Sequence, residues 1–413
     1  MASTAAGPRT STVVIAPDTF KGSLGAGEVA QALASGIRRT APGTRVVEVP
    51  MADGGEGTLD AAAAGWEIEA HWVTGPDGRP TRAQLGLRTD DGGTTAAVVE
   101  LAEASGLHDM GPGADPMRAT SRGTGELLRA ALDRGADEVV LALGGSACTD
   151  GGAGMLSALG VRLLDRAGRR IPEGAAGLSG LDSADLRELD PRIAQTRIVI
   201  AADVDSPLTG PQGAAEVFGP QKGLDEQQVR WASLALQRAV PVLAEAAYRS
   251  SGPTWSDHVV RAADQPGAGA AGGVGFAALA LLGAERRPGV EVVMELVDLE
   301  ARMAGADLVI TGEGSLDTQS LAGKVPVGVA RVSARHGIPV VAVCGRSLLD
   351  RDQWAAAGID HVWALRDLAG SDQESIRRAP ALLQEVGGRI GQELAARSRQ
   401  RQLMAGPAGP GEE

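Results

Sequence analysis

The sequence predicts an α/β protein in which both chain ends build one open parallel sheet and a mixed α/β domain is inserted between them. Three observations carry this. Apolar runs that read as buried strands occur near the N-terminus at 13–16 and 46–49 and return near the C-terminus at 308–310, 340–343 and 361–364, with acidic, glycine-containing loops after 13–16, 46–49 and 308–310. Between these two groups, three consecutive apolar runs are separated by turn residues alone. Finally, 413 residues of which 43% are apolar can bury more than one core.

Run 13–16 reads as a buried strand, followed by the loop 18–23 and a helix whose apolar positions Val29, Leu33 and Ile37 recur every four residues. Run 46–49 repeats the order, leading into the loop 52–57 and an alanine-rich segment 58–64. At Trp66 the grammar changes. Runs 66–73, 83–87 and 95–101 follow one another across Gly-Pro-Asp-Gly and Asp-Asp-Gly-Gly, and Ile68, Ala70 and Trp72 alternate with Glu67, Glu69 and His71 as in a half-exposed strand. Run 139–143 then enters the loop GGSACTDGGAG at 144–154, and run 198–201 leads to Asp203 and Asp205. A helix is expected over 225–247, before a glycine-rich run at 267–283. Parallel grammar resumes with 308–310 and the loop TGEGSLD. The expected boundaries are 11–65 with 286–397 for the parallel domain and 66–285 for the insertion. Residues 398–413 form a polar tail, rich in glycine and proline towards its end, that is expected to be disordered.

Composition excludes several function classes. A net charge of −13, with no basic block, argues against nucleic acid or an anionic membrane as partner. No apolar run approaches the ~20 residues of a membrane span, and the first ten residues lack the apolar core of a signal peptide, so a cytoplasmic protein is expected. Cys148 and Cys344 lack metal-ligand spacing and the five histidines are scattered, which supports neither a disulfide framework nor a zinc site.

The chemistry is concentrated in the loops. Five segments place acids and glycines directly after apolar runs: Asp18, Asp53 with Glu56, Asp150, Asp203 with Asp205, and Glu313 with Asp317. In open α/β sheets the carboxyl ends of strands converge on one crevice. Of the 39 lysines and arginines only Lys21, Lys222 and Lys324 are lysine, each in a glycine-containing loop. A compact ammonium suits a phosphate oxygen, and hard carboxylate oxygens suit Mg²⁺. Acids, lysines and amide-rich loops together are the parts for handling a phosphate. The usual nucleotide signatures are missing: there is no Walker loop, and the G-x-G-x-x-G at 267–272 follows Asp264-Gln-Pro266 where a strand should stand. That run reads equally as a close backbone approach or as plain packing.

Read in order, the segments APDTFKGSL (16–24), PMADGGEG (50–57), ELAEASGL (100–107), GGSACTDGGAG (144–154), VFGPQKG (217–223), PGAGAAGG (266–273) and ITGEGSLD (310–317) with Gly323-Lys324 resemble the class I bacterial glycerate kinases. The resemblance spans about residues 13 to 390. It implies a flavodoxin-like domain with a restriction-enzyme-like insertion, and transfer of phosphate from ATP with Mg²⁺ to the 2-hydroxyl of D-glycerate. One departure is Ser315, where many members carry arginine. Chemistry and position assign Lys21, Asp205 and Asp317 as catalytic candidates, with Asp205 and Asp317 as metal ligands. Phosphate or substrate contacts are assigned to Asp18, Ser23, Asp53, Gly54, Gly55, Glu56, Gly144, Gly145, Ser146, Asp150, Asp203, Gly269, Glu313 and Lys324. Which loops hold ATP and which hold glycerate stays open at this level. A non-catalytic two-domain binder of a sugar acid or nucleotide is the rival, distinguished by whether ATP is consumed. A dehydrogenase is a weaker one, because the first strand does not enter a dinucleotide fingerprint.

Overall fold

The computed structural model describes residues 10–404, and the chain divides into two compact units, Met1–Ala52 with Met294–Glu413 and Asp53–Val293. Unit 1 carries strands β1 (Thr12–Pro17) and β2 (Arg45–Glu48). Unit 2 carries β3 (Glu67–Thr74), β4 (Pro80–Thr89), β5 (Thr95–Glu100), β6 (Glu138–Ala142), β7 (Arg162–Leu164), β8 (Ser183–Asp185), β9 (Arg197–Ala201) and β10 (Glu285–Arg287). The chain then returns to unit 1 with β11 (Leu308–Leu316), β12 (Val340–Ser347) and β13 (His361–Ala364).

Unit 1 is a five-stranded sheet in the order β13-β12-β11-β1-β2, with every neighbouring pair parallel. Counted within the unit this is 2-1-3-4-5, the flavodoxin-like order. The central strands are near-continuous apolar runs because both faces are covered: Val13, Val14, Ile15, Val309 and Ile310 are fully buried. β1 and β11 pair from Val13↔Leu308 to Pro17↔Gly312. The chain leaves this pair in opposite directions across the sheet, so their carboxyl ends are the switch point where such sheets bind ligands. Two helices, Ala26–Thr40 and Ala379–Met404, pack on each other backbone to backbone. A Cβ on Gly36 would stand 2.2 Å from the Gln384 carbonyl oxygen, and one on Gly387 2.2 Å from that of Leu33. This long helix corrects one expectation. Residues 398–404, read as disordered, continue this helix, and Ser398 Oγ lies 3.2 Å from Ser11 Oγ. The rest of the expected tail, 405–413, lies outside the described residues.

Unit 2 is a six-stranded mixed sheet, β10-β9-β6-β5-β4-β3, with a separate pair β7-β8. β3, β4 and β5 are antiparallel and the remaining pairs parallel. The alternation in β3 runs opposite to a simple apolar-in reading, since Trp72 is 77% exposed while Val73 is buried. β3 is an edge strand, and the helix Arg122–Asp133 packs on the Val73 face. There Glu126 accepts the Thr74 amide at 2.7 Å and Arg134 pairs with Glu69. The segment 53–65, grouped from the sequence with the parallel domain, packs in unit 2. Glu100, at the end of β5, accepts the amides of Gly57 and Leu59, both at 2.9 Å. The helix expected at 225–247 runs Glu226–Ser251, with Asp225 accepting the amides of Gln227 and Gln228 as its cap.

Candidate active site

At the switch point of unit 1 lies a cavity of about 460 Å³. It collects Asp18, Lys21 and Ser23 from the loop after β1, Glu313 and Asp317 from the end of β11 and its loop, and Lys324 just before the helix Val325–Arg335. Six sequence-predicted residues from two strand-to-helix connections of the sheet are thus brought together. The first loop is pinned as a tight turn: the Asp18 amide donates to the Gly312 carbonyl at 2.8 Å and the Ser23 amide to that of Phe20 at 2.8 Å. Gly22 takes the left-handed conformation, φ 76°, that the turn demands. The Ser23 hydroxyl donates to the Ile376 carbonyl at 3.2 Å and so ties the turn to the far wall. Asp317 is held by an Asx turn, accepting the Gln319 amide at 2.8 Å while its own amide donates to Ser320 Oγ at 2.9 Å.

Electrostatically the centre of this cavity is Glu313, which is 7% exposed. Burial pushes its carboxyl up to about 7; a hydrogen bond from Ser320 and the charge of Lys324 pull the other way, and the negative Asp18 and Asp317 add to the rise. Its Oε1 is buried without a hydrogen-bond partner. A buried, unpartnered carboxylate oxygen among other acids is suited to a cation. Sequence reasoning missed Arg346 on this wall. It stands opposite Ser315 in the β11–β12 register, and its Nε donates to Ser315 Oγ at 3.2 Å. The signal available was its position at the carboxyl end of a strand of the same sheet.

In unit 2 the loops around Asp53–Glu56 and Gly144–Ser146 press on each other. A Cβ on Gly144 would lie 2.3 Å from the Gly55 Cα, and one on Gly145 3.6 Å from Glu56 Oε2. Only glycine allows this, and it leaves half-buried Asp53 and exposed Glu56 beside the Gly144–Gly145 backbone. Glu100, pushed up to about 7 by burial against the opposing amides of Leu59 and Gly57, braces the same loop from below.

Four predicted residues, Asp150, Gly269, Asp203 and Asp205, are engaged by the chain itself. Asp150 is fully buried, and its carboxylate accepts the amides of Gly152, Gly154 and Ser121 and the Ser121 hydroxyl, at 2.9 to 3.1 Å. The amide-rich end of the loop is therefore already filled by the chain's own carboxyl, whose pKa burial raises against those hydrogen bonds. Gly269 donates its amide to the Ser206 carbonyl at 2.8 Å, and a Cβ there would lie 2.4 Å from the Pro207 oxygen, so its role is backbone packing. The same holds for Gly272, whose φ of 66° lets it lie against the Cys148 carbonyl. Lys222, alone of the three lysines, is buried, and its Nζ donates to Ser146 Oγ at 2.8 Å and the Cys148 carbonyl at 2.6 Å. Asp203 accepts the Gly289 amide at 2.7 Å. Asp205, its side chain 80% exposed, pairs with Arg286 at 2.8 Å. Among the described residues no three His, Cys, Asp or Glu side chains are grouped as a preformed metal cage. No helix among them is long and apolar enough to cross a membrane.

A flavodoxin-like sheet whose switch point gathers acids and lysines, on a chain that also carries amide-rich loops braced from beneath, defines an α/β phosphotransferase. More particularly, the chain belongs to the glycerate kinase family, whose sequence pattern it matches over residues 13–395. It is 43% identical over 356 residues to a glycerate kinase of Bacillus subtilis, covering 86% of this chain and 90% of that one. It is also 43% identical over 371 residues to a glycerate 2-kinase of Escherichia coli, covering 89% and 93%. The crystal structure of a putative glycerate kinase 2 from Salmonella typhimurium superposes with a TM-score of 0.77 at 39% identity, covering 95% of this chain and all of that one. The chain is a kinase, and a kinase of this family uses ATP.

Proposed function

We propose that this protein transfers the γ-phosphoryl group of ATP to the 2-hydroxyl of D-glycerate, giving 2-phosphoglycerate and ADP. The observation that carries the reading is the gathering of Asp18, Lys21, Glu313, Asp317 and Lys324 at one switch point in a chain of this family. The naming of the Escherichia coli relative as a glycerate 2-kinase supports the position of transfer. The glycerate hydroxyl oxygen attacks the γ-phosphorus in line as the bond to the β–γ bridging oxygen breaks and ADP leaves. A loose transition state asks little of a base, so the hydroxyl proton departs late, to water. Lys21 and Lys324 serve as point charges for phosphate oxygens. The hard oxygens of Glu313 and Asp317 fit Mg²⁺, and the orphaned Glu313 Oε1 is the observation in favour. The ion, carried on the nucleotide, would neutralise phosphate charge as the β–γ bond opens. In unit 2, Asp53, Glu56 and the Gly144–Gly145 backbone are a second polar set for small hydroxy-acid groups.

The test is a ³¹P NMR spectrum of the protein with ATP, Mg²⁺ and D-glycerate against a control without glycerate. A phosphomonoester matching 2-phosphoglycerate is expected. A 3-phosphoglycerate signal would keep the kinase and overturn the regiochemistry, and untouched ATP with folded protein would overturn the reaction.

A further inference from the structure

Resting on the kinase reading, we infer that the unit 1 cavity is the nucleotide site, with the base lying on the wall formed by Phe20, Leu365, Ile376 and Ala379 and the phosphates directed to Lys21, Lys324 and Arg346. Size is the first argument. About 460 Å³ falls within the roughly 300–1,000 Å³ range of pockets that enclose nucleotide-sized ligands, whereas a three-carbon acid would leave most of it to water.

The second argument is chemical division. Leu365, Ile376 and Ala379 come from the chain following β13, and Phe20 from the turn after β1. Phe20, Leu365 and Ala379 are buried, but Ile376 is 52% exposed. A large exposed apolar side chain on a cavity wall would be covered by an apolar ligand face such as that of a purine. Glycerate, with a carboxylate and two hydroxyls on three carbons, has no surface for that wall. The other side of the cavity sets the cations Lys21, Lys324 and Arg346 beside the acids Asp18, Glu313 and Asp317. Lys324 precedes the helix Val325–Arg335, whose positive end adds to its charge. Arg346 is fixed by Ser315 at 3.2 Å and Asp372 at 3.4 Å, which pre-orients its fork for a phosphate.

Position is the third argument, since nucleotides bind 2-1-3-4-5 sheets at the carboxyl ends flanking the switch point. The β1 and β11 loops that line this cavity are those ends.

Fluorescence titration of the full chain with mant-ADP tests the inference without relying on turnover, and 2-azido-ADP labelling with peptide mapping gives a second readout. Ile376→Asp is expected to weaken mant-ADP binding by about tenfold or more while the D-glycerate KM stays within about twofold. Label is expected in residues 365–379. Ile376→Ala serves if the first variant misfolds. A raised glycerate KM with unchanged mant-ADP affinity would make the cavity the acceptor site and overturn the inference. Unchanged values for both ligands, or label confined to 53–293, would also overturn it. Wild-type protein that binds mant-ADP here but leaves glycerate unphosphorylated sinks the substrate reading alone and leaves the nucleotide site standing.

Discussion

Lys222 donates its ammonium to Ser146 Oγ at 2.8 Å and to the Cys148 carbonyl at 2.6 Å, from a position buried beneath the glycine-rich loop 144–154. Burial lowers the pKa of this lysine, with the carboxyl of Asp150 opposing. Its charge costs desolvation, and its hydrogen bonds return part of that.

Replacing it with Met therefore has opposed effects on stability. Loss of two hydrogen bonds to buried acceptors costs about 1–3 kcal/mol, while removing a buried charge relieves a penalty of similar size. We expect Lys222→Met to move the urea midpoint little but to lower kcat about tenfold, because Ser146 loses its anchor beside Gly144 and Gly145. Mant-ADP affinity should be unchanged. A kcat equal to wild type would reduce Lys222 to core filling.

Glu313 gives a pH prediction. Its carboxyl is raised from 4.5 to about 7, so the folded state favours the neutral form. Well below pH 4.5 it is neutral both folded and unfolded and contributes nothing. As pH rises towards 7 the unfolded chain ionises first and stability is lost; above 7 the full penalty, on the order of 3 kcal/mol, is present. In Mg²⁺-free buffer the Glu313→Gln variant should thus have a higher urea midpoint than wild type at pH 8 and a nearly equal one at about pH 3.5. Its turnover should fall, since the neutral amide cannot pair with a cation. Equal midpoints at both pH values would mean that the carboxyl is not strained.

Lys324 lines the same cavity as a half-buried point charge. Arginine keeps the charge but brings a wider, planar fork that a site shaped for an ammonium cannot seat. Lys324→Arg should lower turnover by more than about tenfold with an unaltered circular dichroism spectrum and melting temperature. Near-normal kinetics would remove Lys324 from the phosphate set.

Strand runs and helix periodicity made the parallel unit legible, because β1 and β11 are buried on both faces and read as unbroken apolar stretches. The six residues of the unit 1 cavity were legible for the same reason: a loop at the carboxyl end of a buried strand has one place to go. The sequence could not separate a carboxylate that faces a ligand from one that faces its own loop. Asp150 and Asp317 both follow glycine-rich strands' ends, yet Asp150 turns inward onto three amides while Asp317 borders the cavity. The choice depends on Ser121, 29 residues away along the chain, whose amide and hydroxyl complete the inward site. Arg346 was invisible because its relevance arises only from the register that sets it opposite Ser315.

The two candidate metal ligands can be told apart. Asp317 shares a cavity with Asp18 and with Glu313, whose Oε1 has no partner, whereas Asp205 is an exposed acid already paired with Arg286. Mg²⁺ dehydrates reluctantly and takes only one or two protein carboxylates when phosphates supply the rest, so a pair of neighbouring acids suffices and an exposed ion-paired one adds little. Asp317→Asn should raise the Mg²⁺ concentration for half-maximal turnover by about tenfold, and Asp205→Asn should leave it within about twofold. The reverse pattern in a Mg²⁺ titration at saturating ATP and D-glycerate would move the ion to the loop after β9 and leave Asp317 as the cap of an Asx turn.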